Sequence, residues 1–252
     1  MIGAVVRAAW SRLTRKQLLF LYPFTLGLLE ALGFLAVYSA AGGRLGWSGF
    51  ASANAAPWSW LQEHSGKVLG SPLPLAVALL VGLAVCVLAA AIRAPFFRAI
   101  TGTGYPLTPR SVSEFARLSI LYVILNAVVY VVPFSLAPTN PWFGPAWFAT
   151  LVFGVLLVFS DYVVVFEGVN PVQAIRRSIR LVNRSWPVTL GLVLLSLLLS
   201  FSLATIYNRY FQDGNRIFVL LPVSELLLGA LLTTAFDVVF VSLYAHLKRE
   251  NQ

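Results

Sequence analysis

DYVVVFEGVNPVQAIRRSIRLVNRSWP, residues 161–187, decides how the chain is read. It begins as the end of an apolar run and breaks at Gly168. It then restarts behind Asn170 and Pro171, a favoured cap followed by the residue that suits the first helical position. Gln173 stands three residues past the cap, where it can bond back to the cap's backbone N–H. Val172, Ile175, Ile179, Val182 and Trp186 then recur at helical spacing, and Arg176, Arg177, Arg180 and Arg184 take the rest of the circumference. The pattern predicts a short amphipathic helix lying in a bilayer interface, with its arginine forks turned to anionic lipid head groups or a protein partner. Orientation alone also accounts for these arginines, because positive charge on cytoplasmic loops needs no further role.

Working outward, the apolar runs at residues 18–40, 73–92, 118–136, 146–166, 188–206 and 222–247 are each close to the ~20 residues a helix needs to cross a bilayer. The expected fold is all-α: a polytopic membrane bundle of six transmembrane helices, with short interfacial amphipathic helices on its cytoplasmic face and no second domain across residues 1–252. Composition agrees. The chain is 59% hydrophobic and 11% charged, well away from a soluble globular domain at about 45–50% apolar and 25% charged. A net charge of +9 raises nucleic acid as a partner, but the basic residues sit in short loops between apolar runs and not on one soluble face.

Those basic residues also set the orientation. Arg7, Arg12, Arg15 and Lys16 precede the first run. Arg93, Arg98, Arg110 and Arg117 flank the second loop, the four arginines of the opening stretch follow, and Lys248 and Arg249 end the last run. Only Arg44, Lys67, Arg209 and Arg216 fall on the other side, so both termini are expected in the cytoplasm of a bacterial inner-membrane protein. An odd number of crossings would strand one basic cluster outside. The first run is too long for an ordinary signal core and is expected to stay as a signal-anchor. Residues 57–68 are expected to form a short interfacial helix, Ala78 and Gly82 a small-residue packing pair, and Thr108-Pro109 another capped helix start. Three times a basic segment feeds two runs (residues 4–92, 109–166 and 171–247), a repetition of element types.

Ionisable groups inside the runs are the candidate functional residues. Glu30 falls mid-way along the first and Asn126 mid-way along the third, with Asp161 and Asp237 inside the fourth and sixth. A charge at bilayer depth costs about 2.5–3.5 kcal/mol on insertion scales and should find a partner or water. Arg93 is the expected partner of Asp161 or Asp237, and Arg176 or Arg177 of Glu167. Such a group builds either a polar cavity opening to the cytoplasm or a set of structural ion pairs.

No catalytic constellation is expected. His64 and His246 lie in different parts of the chain, Cys86 is inside an apolar run, and neither a phosphate loop nor a metal-ligand spacing is present, so no metal and no cofactor is assigned. Phe166-Glu167-Gly168 with Pro171, Ala174-Ile175, Arg177-Ser178 and Leu181 resembles a bacterial pattern over residues 161–199. It is that of the six-span membrane domain fused to some glycerophosphodiester phosphodiesterases, and of its stand-alone relatives. The resemblance implies an all-helical inner-membrane bundle. It implies no enzymatic activity, since the fused enzymes carry their catalytic carboxylates in a soluble barrel with no counterpart here. The leading expectation is a non-catalytic scaffold or accessory subunit that holds a protein partner, or a second copy of itself, and anionic lipids. The alternative is a transporter or channel component using the intramembrane carboxylates, and a lipid-modifying enzyme ranks third.

Overall fold

Asn170 caps its helix as its place before Pro171 dictates: the side chain accepts from the Gln173 N–H at 2.8 Å, while Gly168 ends the preceding helix in the left-handed region at φ 64°. The same rules apply along the whole chain. The computed structural model describes residues 2–15, 17–43, 68, 70–102, 109–128, 141–212 and 221–249, and all regular structure among them is helical. The helices are α1 (Ile2–Arg15), α2 (Leu21–Ala40, after one 3-10 turn), α3 (Pro72–Thr101), α4 (Pro109–Asn126), α5 (Phe143–Leu156), α6 (Ser160–Glu167), α7 (Pro171–Arg184), α8 (Trp186–Gln212) and α9 (Leu221–Arg249).

Among the described residues, five stretches are long and apolar enough to cross a membrane: Leu18–Ala40, Pro72–Thr101, Phe143–Glu167, Trp186–Tyr207 and Val223–Arg249. Their outward faces stay apolar, with Leu80, Leu83, Leu198 and Phe201 all more than half exposed. Water does not tolerate a continuous surface of that kind, whereas lipid does. The chain is an integral, multi-pass membrane protein. Of the third expected run, α4 covers the first part, and residues 129–136 lie outside the described residues, as do 57–67 and Thr108.

Contacts place several helix ends together. Arg98 near the end of α3 donates to the Val165 carbonyl at 2.9 Å, and Arg117 in α4 donates to that of Gly168. The first carbonyl belongs to the last turn of α6 and the second to the glycine that caps it, where the macrodipole leaves negative charge and unpaired acceptors. Tyr244 and Lys248 of α9 reach Glu167 at the same place, and α1 packs along α9, with Arg12 donating to Ser242 at 2.9 Å. Burial and the nearby charge of Arg249 hold the Arg12 guanidinium below its usual value. Thus α1, the end of α3, the start of α4, the end of α6, α7 and the end of α9 share one end of the bundle.

Four local features depart from the sequence reading. The second helix does not stop at Ile92 but runs on to Thr101, through Pro95, so Arg93 and Arg98 are helix residues and not loop flanks. The fourth span is broken at Leu157–Phe159, between α5 and α6. Ser178 of α7 fills the break: its hydroxyl accepts from the Phe159 N–H at 3.1 Å and donates to the Leu156 carbonyl at 2.8 Å. The buried side of α7 is therefore Ala174, Ser178, Leu181 and Val182, while Val172 and Trp186 of the expected stripe are exposed. Finally, Gly82 is exposed and a Cβ there would meet nothing within 4 Å. The close helix contact belongs to Gly33, where a Cβ would lie 2.8 Å from Val81 Cγ1 of α3.

Candidate functional site

Arg93 is the centre of the polar interior. Its side chain leaves α3 about 30 Å along from Pro72, at 1.5 Å per residue. One guanidinium nitrogen lies 3.2 Å from Asp237 Oδ2 on α9 and the other 3.8 Å from Asp161 Oδ2 on α6. The sequence left open which aspartate Arg93 would join, and it joins both. Two tyrosines complete the shell. Tyr162 donates to Asp237 at 2.7 Å, and Tyr122 of α4 donates to Asp161 at 3.4 Å. Asp161 also accepts the Tyr162 backbone N–H at 2.9 Å, which the break before α6 leaves without a helical partner. The guanidinium stands over the Phe97 ring, 5.4 Å from its centroid.

This cluster separates two cavities. The first, about 360 Å³, lies among α2, α3, α8 and α9 and is lined by Tyr22, Glu30, Phe96, Glu225 and Leu226. The second, about 400 Å³, lies among α4, α5, α6, α8 and α9 and is lined by Asn126, Ser160, Ser196 and Tyr162. Both are walled by Arg93, Ser200, Thr233 and Asp237. Beyond the cluster, toward the end that holds α1 and α7, a packed layer comes before a smaller cavity of about 240 Å³ lined by Thr101, Phe166, Tyr244 and Lys248. Phe97 meets Tyr162 edge-on at 4.7 Å, Phe159 meets Phe240 at 6.3 Å, and Ile100, Val163, Val164, Val241 and Leu243 are fully buried or nearly so. A polar cavity opening to the cytoplasm was one of two expectations for these groups, and structural ion pairs were the other. The packed aromatic and aliphatic layer stands on the arginine-rich side of the cluster, because the residues after Arg93 in α3 and after Asp237 in α9 are the ones the core takes up.

The other sequence candidates fall in different places. Glu30 lines the first cavity. Asn126 lines the second while donating to the Tyr122 carbonyl at 2.9 Å and to Cys86 Sγ at 3.4 Å. Glu167 pairs with Arg177, accepts from Tyr244 at 2.7 Å and lies 3.7 Å from Lys248, so it ties α6, α7 and α9 together away from both cavities. Arg176, Arg180 and Arg184 are exposed along α7, beside exposed Val172.

Two carboxylates escaped the sequence reading. Glu114 of α4 is 2% exposed and takes both oxygens to Arg98, at 2.9 and 3.0 Å. Glu225, in the first turns of α9, is 9% exposed, lines the first cavity, and its Oε2 has no hydrogen-bond partner among the described residues. The signal for Glu114 was its position one helix away from arginines counted only for topology. For Glu225 it was the rarity of any acid within a span.

Among the described residues no three His, Cys, Asp or Glu side chains come together as metal ligands would. What the arrangement can do is hold a cationic side chain between competing carboxylates, with water-sized space on both sides. No protein-family model, curated protein or solved structure matches the chain.

Proposed function

We propose that the chain is a transport protein of the bacterial inner membrane, crossing it six times with both termini cytoplasmic, and that a solute passes by way of the two cavities. The observation that carries this reading is the seating of Arg93 between Asp161 and Asp237, with a cavity on either side of the pair. An ion pair whose two faces are both open to space can be split by a competing charge. A purely structural pair gains nothing from cavities beside it, since unfilled volume forfeits packing. The break between α5 and α6 supports the same reading, because discontinuous spans in membrane proteins occur where backbone lines a cavity or is covered by protein. Leu157, Val158 and Ser160 at this break line the second cavity.

The shared end of the bundle supports six crossings. The ends of α3 and α6 meet through Arg98 and Val165, and an outward and a return leg between them accord with that count. The polypeptide from Leu118 through residues 129–136 is the apolar stretch available for the outward leg. Arginine count then assigns the shared end to the cytoplasm, and α7 lies in the interface with exposed Arg176, Arg180 and Arg184 against lipid head groups.

The test is flux through the purified chain in proteoliposomes. Solutes of positive, neutral and negative charge are loaded in turn, and protein-free vesicles set the background. Transport predicts efflux of at least one class above background and its loss in Asp237→Asn. Retention of every class at the background rate overturns the reading.

A second reading, a non-catalytic scaffold for a protein partner or a second copy, rests on the exposed cationic and apolar sides of α7. Co-purification of a stoichiometric partner that releases when Arg176, Arg180 and Arg184 are replaced by Gln supports it. In either case the chain is read as non-enzymatic, and turnover of added phospholipid by the pure protein is the contrary result.

A further inference from the structure

We propose that the cavity between α2 and α9 is a binding site for a hydrophobic organic monocation, such as a substituted ammonium or phosphonium with an apolar body, held by Glu225 and Glu30. The proposal deepens the transport reading and rests on it only for the conclusion that the cation crosses the membrane.

Glu225 carries the argument. It is nine-tenths buried, it lines the cavity, and its Oε2 meets no donor among the described residues. A buried acceptor without a partner costs about 1–3 kcal/mol, and more when it is charged, so the position calls for a ligand that brings positive charge. Arg93 does not supply it. Its guanidinium is committed to Asp237 and Asp161, and Asp237 lies twelve residues along α9 from Glu225, about 18 Å of helix. Glu30 adds a second carboxyl group to the same cavity from α2. The cavity therefore holds more acid than its one arginine offsets.

The remaining walls choose the kind of cation. Tyr22 and Phe96 present aromatic rings, and Leu26, Leu203 and Leu226 present aliphatic groups. A small inorganic cation needs a cage of several oxygen ligands to replace its water, and apolar walls provide none. An organic cation sheds little hydration, fills apolar space and interacts with aromatic faces. A volume of about 360 Å³ falls within the ~300–1,000 Å³ usual for small-molecule sites.

The experiment uses the full-length chain in detergent with radiolabelled tetraphenylphosphonium, and tetraphenylborate as an anion of the same shape. Saturable binding of the phosphonium at one site per chain, with none of the borate, is expected. Glu225→Gln is expected to weaken it at least tenfold, Glu30→Gln less, and Glu225→Asp to retain most of it. Gly229 also lines the cavity, and a Cβ there meets nothing within 4 Å, so the side chain of Gly229→Leu starts from open space and is expected to compete with the probe. Elution as a single species and an unchanged near-ultraviolet spectrum certify each variant, and Gly229→Leu stands in if Glu225→Gln does not fold. Absence of saturable binding, equal binding of the borate, or wild-type binding by both Glu225→Gln and Gly229→Leu overturns the site. Phosphonium binding with every solute class retained at the protein-free background rate leaves the site standing and removes transport. Flux of a different solute with no phosphonium binding does the reverse.

Discussion

Arg93 and Asp237 meet at 3.2 Å across the α3–α9 interface, with the Asp237 side chain 8% exposed and that of Arg93 27% exposed through the cavities. Removing one partner of a buried pair leaves an uncompensated charge, at about 3–5 kcal/mol, whereas removing both can be close to neutral. Arg93 retains Asp161 when Asp237 is lost, and it is partly hydrated, so Asp237→Asn should fall at or below the low end of that range. Arg93→Gln, which strands two aspartates, should be the more damaging change. Thermal unfolding in detergent is expected to rank the variants wild type, Asp237→Asn, then Arg93→Gln, with Arg93→Gln partly rescued when Asp161→Asn and Asp237→Asn are added. Equal Tm values for all of them would show that the pair does not hold the bundle.

Ser178 is predicted to matter more than any other serine hydroxyl of α7 or α8. Among the described serines it alone supplies both a donor and an acceptor to the broken span. Ser178→Ala leaves the Phe159 N–H and the Leu156 carbonyl unpaired in a dry interior, where each such group costs about 1–3 kcal/mol. Ser196→Ala, which removes only a local bond to the Val193 carbonyl at 2.8 Å, is the control. The expected result is a clear loss of Tm for the first and little change for the second. Similar values for both would mean that the break is satisfied in some other way.

The legible parts of the fold were those set by local chemistry. The αL glycine at 168, the Asn170 cap and the apolar lengths are written in consecutive residues, and the helices follow them. The pairing of Arg93 with aspartates was legible because a charge in an apolar run has few ways to exist. The break at Leu157–Phe159 was not legible, since no Gly or Pro marks it and the hydroxyl that satisfies it is nineteen or more positions away. For the same reason the buried side of α7 was misread. A hydropathy stripe counts Ser178 as polar and Ala174 as indifferent, yet both are fully buried, because one bridges the break and the other is small enough for close approach. The extent of α3 was misread because hydropathy stops at Arg93, while the helix continues for as long as its charges find partners in Asp237, Asp161 and Glu114.

Glycines separate packing from mere smallness. A methyl group at Gly33 would sit 2.8 Å from Val81 Cγ1 and 3.4 Å from Val85 Cγ2, so α2 and α3 must part or those valines must turn. At Gly82 the same methyl group meets open space, and Ala is the better helix former by about 1 kcal/mol. Gly33→Ala is therefore expected to lower Tm and Gly82→Ala to leave it unchanged or raise it. The opposite order would place the α2–α3 contact elsewhere.

The arginines of α7 should divide into two roles. Arg177 pairs with Glu167, itself bonded to Tyr244, so Arg177→Gln is expected to loosen the joint between α6, α7 and α9 and to lower Tm whatever lipid is present. Arg176, Arg180 and Arg184 are exposed beside Val172, which is 55% exposed, and Trp186, which is 39% exposed. Their effect should appear only against anionic head groups, at about 1 kcal/mol for each arginine near such a surface. Adding phosphatidylglycerol to the detergent-solubilised chain is expected to raise Tm, and phosphatidylcholine to do so less. Replacing Arg176, Arg180 and Arg184 together by Gln should erase that difference while leaving the lipid-free Tm close to wild type. Salt should erase it too, since the Debye length shortens to about 3 Å at 1 M. A triple variant that keeps the full response to phosphatidylglycerol would detach α7 from the lipid surface and leave its charge to a protein partner.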